Sequence, residues 1–207
     1  MTTLEILHSL QSEIHSAVFA TLDDRGLPQT CVIDLMLADE GGLYFLTAKG
    51  KSFYERLMAR PFAALSGMKG GDTLSTVAIS LRGAVRNIGK ERLAEIFVQN
   101  PYMAKIYPTE KNREALEIFQ IFRAEGEYFD LSQLPPYRKS FSFGGEAAHA
   151  SGYRINVEKC ISCTQCREVC PTNCISDTTP RILDAGHCLH CGNCFRTCPV
   201  GAVEKIS

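Results

Sequence analysis

Along the first 130 positions the hydrophobic residues switch between two periods. Leu4, Leu7, Leu10 and Ile14 recur at helical spacing, so a helix is expected over Thr3 to Glu13. Ala17–Leu22 reads as a strand, Asp23-Asp24-Arg25-Gly26 as a turn and Gln29–Leu37 as a second strand. Glu40-Gly41-Gly42 makes a second turn before a third strand, Leu43–Thr47. Two hairpins in succession predict an antiparallel meander. Phe53, Tyr54, Leu57 and Met58 place a helix over Lys51–Arg60, stopped by Pro61. Strands follow at Phe62–Met68 and, after the Gly70-Gly71-Asp72 loop, at Ser75–Asn87, where Val77, Ile79 and Leu81 share one parity. A helix is expected at Lys90–Gln99, a short one at Asn112–Glu117, and a last strand at Ile118–Phe129. Six or so strands with few helices and short turns predict a mostly β fold with some α, class α+β, built on a small antiparallel barrel.

The pattern breaks near Ser142. Gly144-Gly145, Ala147-Ala148 and Ser151-Gly152 precede a cysteine-rich tail. The expected organisation is a barrel domain over 1–143, a linker over 144–152 and a small domain over 153–207. A surface loop of the barrel is the other reading of 144–152.

Eight of the ten cysteines form one run written twice. Cys160, Cys163, Cys166 and Cys170 precede Pro171; Cys188, Cys191, Cys194 and Cys198 precede Pro199, 28 residues later. The C-x2-C-x2-C-x3-C-P spacing supplies thiolates for two [4Fe-4S] clusters, the fourth cysteine of each run serving the other cluster. One cluster then takes Cys160, Cys163, Cys166 and Cys198; the other takes Cys188, Cys191, Cys194 and Cys170. Zinc sites use separated pairs of ligands and fit these triplets poorly. The segment from 153 resembles the bacterial two-cluster ferredoxin module, which implies low-potential, single-electron transfer. Cys174, matched by Ala202 in the second copy, is either a spare ligand or a small buried apolar residue. His187 and His190 flank Cys188 and read as surface residues or as neighbours of the ligands.

Charge narrows the partners. The 207 residues carry a formal net charge of −1, with 45 % hydrophobic and 22 % charged residues. Two oxidised clusters would take the charge to about −5, so no nucleic-acid partner is expected. No apolar run approaches a membrane span, and Met1-Thr2-Thr3-Leu4-Glu5 lacks a signal pattern. The expectation is a cytoplasmic protein with no membrane partner.

A barrel beside redox clusters invites a redox cofactor of its own, and flavin couples one-electron to two-electron chemistry. Phe45 to Ser52 runs from a strand end into a helix start and offers lysines, hydroxyls and helix amides to a phosphate, although such residues also serve as solvated charge and caps. The succession of elements through Pro28-Gln29, Tyr44-Phe45-Leu46-Thr47, Lys49-Gly50-Lys51, Arg60-Pro61-Phe62-Ala63-Ala64-Leu65 and Val77 to Val85 resembles the pyridoxamine phosphate oxidase-like family of FMN-binding split β-barrels, over about residues 5–130. The resemblance implies that Thr47, Lys51 and Ser52 meet the FMN phosphate, with Lys49 nearby. It implies that Cys31, Val32, Ile33 and Asp34 lie along the ring or ribityl chain, that Val77 and Ala78 border the ring, and that the barrel is a homodimer. Cys31 and Ser52-Phe53 depart from the oxidase pattern, so the resemblance implies the FMN scaffold and not oxidation of the vitamin phosphate.

In Tyr137 to Gly145, either Arg138 and Lys139 contact flavin or substrate while Phe141 or Phe143 stacks on a ring, or the stretch is an aromatic clamp holding the linker to the barrel; His15 reads as a cap or surface residue. The functional expectation is an oxidoreductase passing electrons between the clusters and FMN, with a soluble low-potential donor or acceptor protein and a small organic substrate. The alternatives are a non-catalytic electron carrier and a redox sensor. With no GxGxxG, nothing in the sequence supports NAD(P)H as the direct donor.

Overall fold

The computed structural model describes residues 1–149 and 151–206. Ala150, inside the expected linker, and Ser207, at the end of the expected cysteine domain, lie outside the described residues. The chain divides into two compact units. The first comprises Met1–Lys69, Ala78–Gly126 and Phe141–Ala147; the second comprises Gly70–Val77, Glu127–Ser140 and the chain from Ala148 onward.

Seven strands form one sheet: β1 (Ser16–Leu22), β2 (Pro28–Asp39), β3 (Gly42–Ala48), β4 (Phe62–Lys69), β5 (Val77–Gly89), β6 (Leu116–Asp130) and β7 (Tyr137–Phe143). Their order is β3-β2-β1-β4-β5-β6-β7, and a further β3–β6 pairing closes six of them into a barrel, with β7 added beside β6. The expected meander is present: β1 pairs antiparallel with β2, and β2 with β3.

Turn chemistry sets both hairpins. Asp23 accepts hydrogen bonds from the amides of Arg25 and Leu27 at 3.0 and 2.8 Å, and Gly26 takes a φ of +79°. Gly42 has a φ of +123°, and a Cβ there would stand 2.0 Å from the Ile121 carbonyl oxygen. Only glycine allows β3 to approach β6 this closely.

The barrel core is aromatic. Phe19, Phe45, Phe53 and Phe119 are all buried, and the Phe45 ring lies 4.8, 5.9 and 5.7 Å from those of Phe19, Phe53 and Phe119. Phe53 comes from a helix, Ser52–Ala59, whose Phe53 and Leu57 face inward while Met58 stays exposed.

Four elements differ from the sequence reading. The first helix is α-helical only over Thr3–His8 and widens to a π-helix over Ser9–Ile14. The Asn112–Glu117 helix is a single 3-10 turn, Lys111–Arg113; Leu116 already pairs with Ala48 across the β3–β6 closure, and that ladder overrides local propensity. A short helix, Met103–Ile106, follows Pro101 where none was expected. β7 was not expected, because its run lacks a clean alternation of buried and exposed residues. β6 itself alternates poorly: Ile118, Phe119, Gln120 and Ile121 are all buried, because barrel closure covers both of its faces.

In the second unit, β8 (Gly152–Ile155) and β9 (Val203–Ile206) form a two-stranded antiparallel sheet. Two short helical turns, Gln165–Glu168 and Asn193–Thr197, carry Cys166 and Cys194, the third cysteine of each run. The buried cluster here is Cys166, Cys174, Ile175, Cys188, Cys194 and Val203, so most of its apolar interior is thiol. Among the described residues no helix is long and apolar enough to cross a membrane.

Candidate functional site

The cysteine loops owe their shape to a repeated set of left-handed residues. Ser162, Thr164 and Asn173 have φ of +56°, +71° and +52°; their counterparts 28 positions later, His190, Gly192 and Gly201, have +56°, +77° and +61°. The two copies therefore curl the backbone in the same way, at positions that cost a non-glycine residue conformational energy.

Two cavities result. Cys160, Cys163, Cys166 and Cys198 line one, together with Ser162, Arg181 and Ala202. Cys170, Cys188, Cys191 and Cys194 line the other, together with Cys174 and Leu183. Each expected set of four thiols, three from one loop and one from the other copy, meets at one cavity. Among the described residues no three His, Cys, Asp or Glu side chains converge on a point for one ion. The thiols surround a space, which is the arrangement a cluster needs when each of its irons takes one thiolate.

Backbone amides aim at several of these sulfurs. The Ala202 amide lies 3.2 Å from the Cys198 sulfur, and the His190 amide 3.4 Å from the Cys188 sulfur. At Cys160, burial pushes the thiol pKa up, but amide hydrogen bonds from Arg181 and Ser162 outweigh it and the net direction is down. Cys188 is pulled down to about 6, chiefly by a hydrogen bond from Cys174, with the His190 amide and the Arg138 charge assisting against burial. Cys194, buried without as much help, is pushed up to about 11. Cys174 is buried, with its sulfur 3.5 Å from that of Cys170.

His187 and His190 line neither thiol cavity. His187 Nδ1 is 3.1 Å from the Pro136 carbonyl, and the His190 ring packs over Gly152, where a Cβ would come within 2.5 Å of Nε2. Arg138 pairs with Glu127 at 2.5 Å, and its guanidinium carbon lies 4.6 Å from the centroid of Phe129.

In the barrel, Thr47 is buried at the end of β3, and its hydroxyl has no hydrogen-bond partner among the described residues. Such a group costs stability unless something fills its bonding capacity. Lys51 and Ser52 are exposed at the start of the Ser52–Ala59 helix, whose first amides lack intrahelical acceptors. Ser52 lines an open pocket with Arg56, Arg60 and Asp23. Arg56 was not singled out from the sequence, where it reads as an ordinary helix-surface cation. It donates from Nε to the Thr21 hydroxyl at 2.8 Å. At half-buried Cys31, burial raises the thiol pKa while the charges of Arg56 and Lys51 oppose it.

The remaining barrel candidates are dispersed. Cys31, Val32, Ile33 and Asp34 lie opposite Phe19, Val18, Ala17 and Ser16 of β1, and Val32 is 65 % exposed. Asp34 accepts hydrogen bonds from Ser16 at 2.6 Å and Tyr102 at 3.1 Å; Tyr102 in turn lies 2.9 Å from His15 Nε2 and is pushed up to about 12 by burial and the Asp34 charge. His15 therefore belongs to a side-chain network, at a left-handed φ of +62°. Lys49 is held by Glu117 at 2.8 Å. Glu117 also accepts from Tyr54 at 2.7 Å and Asn87 at 2.6 Å, and Lys49, Asn87 and Tyr54 together hold its carboxyl at about 2. Val77 is buried and Ala78 half-buried at the start of β5.

Comparison with known proteins places these observations in a family. Residues 5–130 match the family model described as pyridoxamine 5'-phosphate oxidase. Residues 153–176 and 181–204 each match the 4Fe-4S binding domain. A NimC/NimA family protein from Clostridium acetobutylicum has a similar fold, with a TM-score of 0.57 and 18 % identity over 68 % of this chain and 92 % of that one. So does a heme binding protein from Mycobacterium smegmatis, with a TM-score of 0.52 and 15 % identity over 69 % of this chain and 58 % of that one. At these identities the likeness is one of fold. No curated protein matches the chain. Because the first model spans more than half of the sequence, and the closed six-stranded barrel lies within the segment it matches, the chain belongs to the pyridoxamine 5'-phosphate oxidase family and carries a 4Fe-4S binding domain after the barrel.

Proposed function

We propose that this protein is an iron–sulfur flavoprotein oxidoreductase that passes electrons between two [4Fe-4S] clusters and FMN and reduces or oxidises a small organic substrate. The observation that carries the reading is the sorting of eight repeated thiols into two cavities, four to each, in a chain whose first 130 residues belong to a flavin-associated barrel family. Once bound, the clusters supply single electrons and FMN exchanges them for electron pairs. Cys160, Cys163, Cys166 and Cys198 hold one cluster; Cys188, Cys191, Cys194 and Cys170 hold the other.

Thr47 gives the flavin phosphate the hydrogen bond its hydroxyl lacks among the described residues. Lys51, Ser52 and the first amides of their helix complete the cradle, and Arg56 adds charge from one turn further on. Lys49 contributes less directly, since Glu117 already neutralises it. Cys31, Val32, Ile33 and Asp34 line the ring or ribityl chain, with Val77 and Ala78 at its border. The protein is a cytoplasmic homodimer with a barrel over 1–143, a linker over 144–152 and a ferredoxin-like domain over 153–207. Its electron partner is a soluble low-potential protein.

The test is anaerobic reconstitution with iron, sulfide and FMN, followed by metal, sulfide and released-flavin analysis. About eight irons and one FMN per chain are expected. Zinc in place of iron, or heme bound where flavin is refused, overturns the reading. Repeated reoxidation of the dithionite-reduced protein by nitro, enone or quinone compounds supports the enzyme; exchange with protein partners alone supports a carrier.

A further inference from the structure

Resting on the two-cluster reading above, we propose that Arg181 is a positioning residue that makes the two clusters unequal: it raises the reduction potential of the cluster held by Cys160, Cys163, Cys166 and Cys198 above that of its twin.

Arg181 is only 6 % exposed and lines the cavity formed by those four cysteines. Its Nη1 donates to Asp177 at 2.6 Å and its Nη2 to the Ser162 carbonyl at 3.4 Å. Its Nε is buried and has no partner among the described residues. A buried guanidinium with an unused N–H is costly unless an acceptor completes it. The acceptors a filled cavity would offer are cluster sulfurs and cysteine thiolates.

Asp177 offsets the charge only in part, because its side chain is 70 % exposed and also pairs with Arg167 at 3.3 Å. Water screens the carboxylate, while the arginine lies on the sheltered side. The twin cavity has no arginine among its lining residues. The two matched repeats begin at 153 and 181, so the counterpart of Arg181 is Tyr153. Tyr153 packs against the buried thiols of the second unit and against Phe195, ring centroids 5.8 Å apart. Arg138 also acts on Cys188, and its Nε is likewise buried with no partner among the described residues, but it lies outside the lining of the twin cavity and is paired at 2.5 Å with Glu127, whose side chain is far less exposed than that of Asp177.

The charge logic is simple. Reduction adds one electron to the cluster core and makes the thiolate-ligated cluster one unit more negative. A buried cation and an N–H donor favour that reduced form, and net charge and hydrogen bonds to sulfur are recognised determinants of cluster potential.

The test uses the anaerobically reconstituted full chain, titrated with dithionite through mediators and followed by EPR, with iron and sulfide analysis of every sample. In Arg181→Gln, one midpoint falls and the other holds, and the equilibrium for sharing an electron between the clusters changes about tenfold, or about 59 mV for a one-electron couple. Arg181→Lys, which keeps the charge and loses the fork, falls between wild type and Arg181→Gln. Asp177→Asn, which leaves the arginine unpaired, moves the same midpoint upward. A fully loaded Arg181→Gln with both midpoints unchanged, or both moved equally, overturns the proposal. If Arg181→Gln does not hold its iron, Asp177→Asn decides: one midpoint raised supports the proposal, none moved overturns it. Wild-type protein that binds no clusters overturns the parent reading and this one together, and the metal analysis detects that outcome before any potential is measured.

Discussion

The barrel and the cysteine unit bury themselves by opposite means. The barrel closes its sheet through β3–β6 and fills it with Phe19, Phe45, Phe53 and Phe119. In the cysteine unit, thiols make up most of the buried cluster, joined by a two-stranded sheet and short helical turns. A unit that small rarely supports itself by apolar burial alone. The comparison teaches that one part of this chain stores its stability in side-chain packing, while the other, on the proposed reading, draws it from bonds to iron–sulfur clusters.

The most severe way to break the comparison is to remove the iron. Chelation of the reconstituted protein under reducing anaerobic conditions is expected to abolish amide-exchange protection across residues 153–206 while the barrel amides keep theirs. Equal loss in both units would mean that the barrel also depends on the clusters. The reverse experiment is Phe45→Ala. It removes the ring that touches the other three phenylalanines and is expected to cost the barrel about 3–5 kcal/mol in chemical denaturation, with iron content unchanged.

Thr47→Val sharpens the contrast within the barrel. Replacing an unsatisfied buried hydroxyl by a methyl group is expected to stabilise the flavin-free barrel by about 1 kcal/mol. The same change is expected to weaken FMN binding about tenfold, the loss of one phosphate hydrogen bond. Opposite signs in melting temperature and flavin titration mark a ligand-directed hydroxyl; a fall in both would mark a structural one.

A smaller effect is expected from pH. Glu117 is held at about 2 by Lys49, Asn87 and Tyr54, below the ordinary glutamate value of about 4.3. Its contribution to stability is therefore complete above about pH 4.3 and is lost as pH falls toward 2. Melting curves of the barrel between pH 6 and 2 are expected to show this loss, and Glu117→Gln to flatten it. The smallest effect is expected of Cys174→Ala, which gives the first copy the residue the second already has at Ala202. Full iron content would assign Cys174 to packing, and loss of iron would assign it to ligation.

Much of the barrel was legible because its strands are bounded by turn residues with one conformational solution, such as Gly26 and Gly42. Legibility failed where a partner strand overrode the local pattern. Leu116 lies in a stretch that reads as helix but pairs with Ala48, and β7 buries too few residues to announce itself. In the sites, spacing was enough to propose the thiol sets, since cysteines at two- and three-residue intervals have little else to do in such a run. Arg56 and Arg181 were not legible. An arginine's role depends on whether its guanidinium ends in water or against a cavity, and nothing local to the chain fixes that.

By itself, then, the sequence determined the period of most barrel strands, their turns, and the spacing that sorts the repeated cysteines into two groups of four. Those follow from backbone sterics and from ligand spacing, which act over a few residues. The tertiary structure alone decided that β3 meets β6, that the Thr47 hydroxyl has no partner among the described residues, and that Arg181 is buried against a thiol cavity. Those outcomes rest on which distant side chains exclude water from one another, a quantity that exists only once the chain has closed on itself.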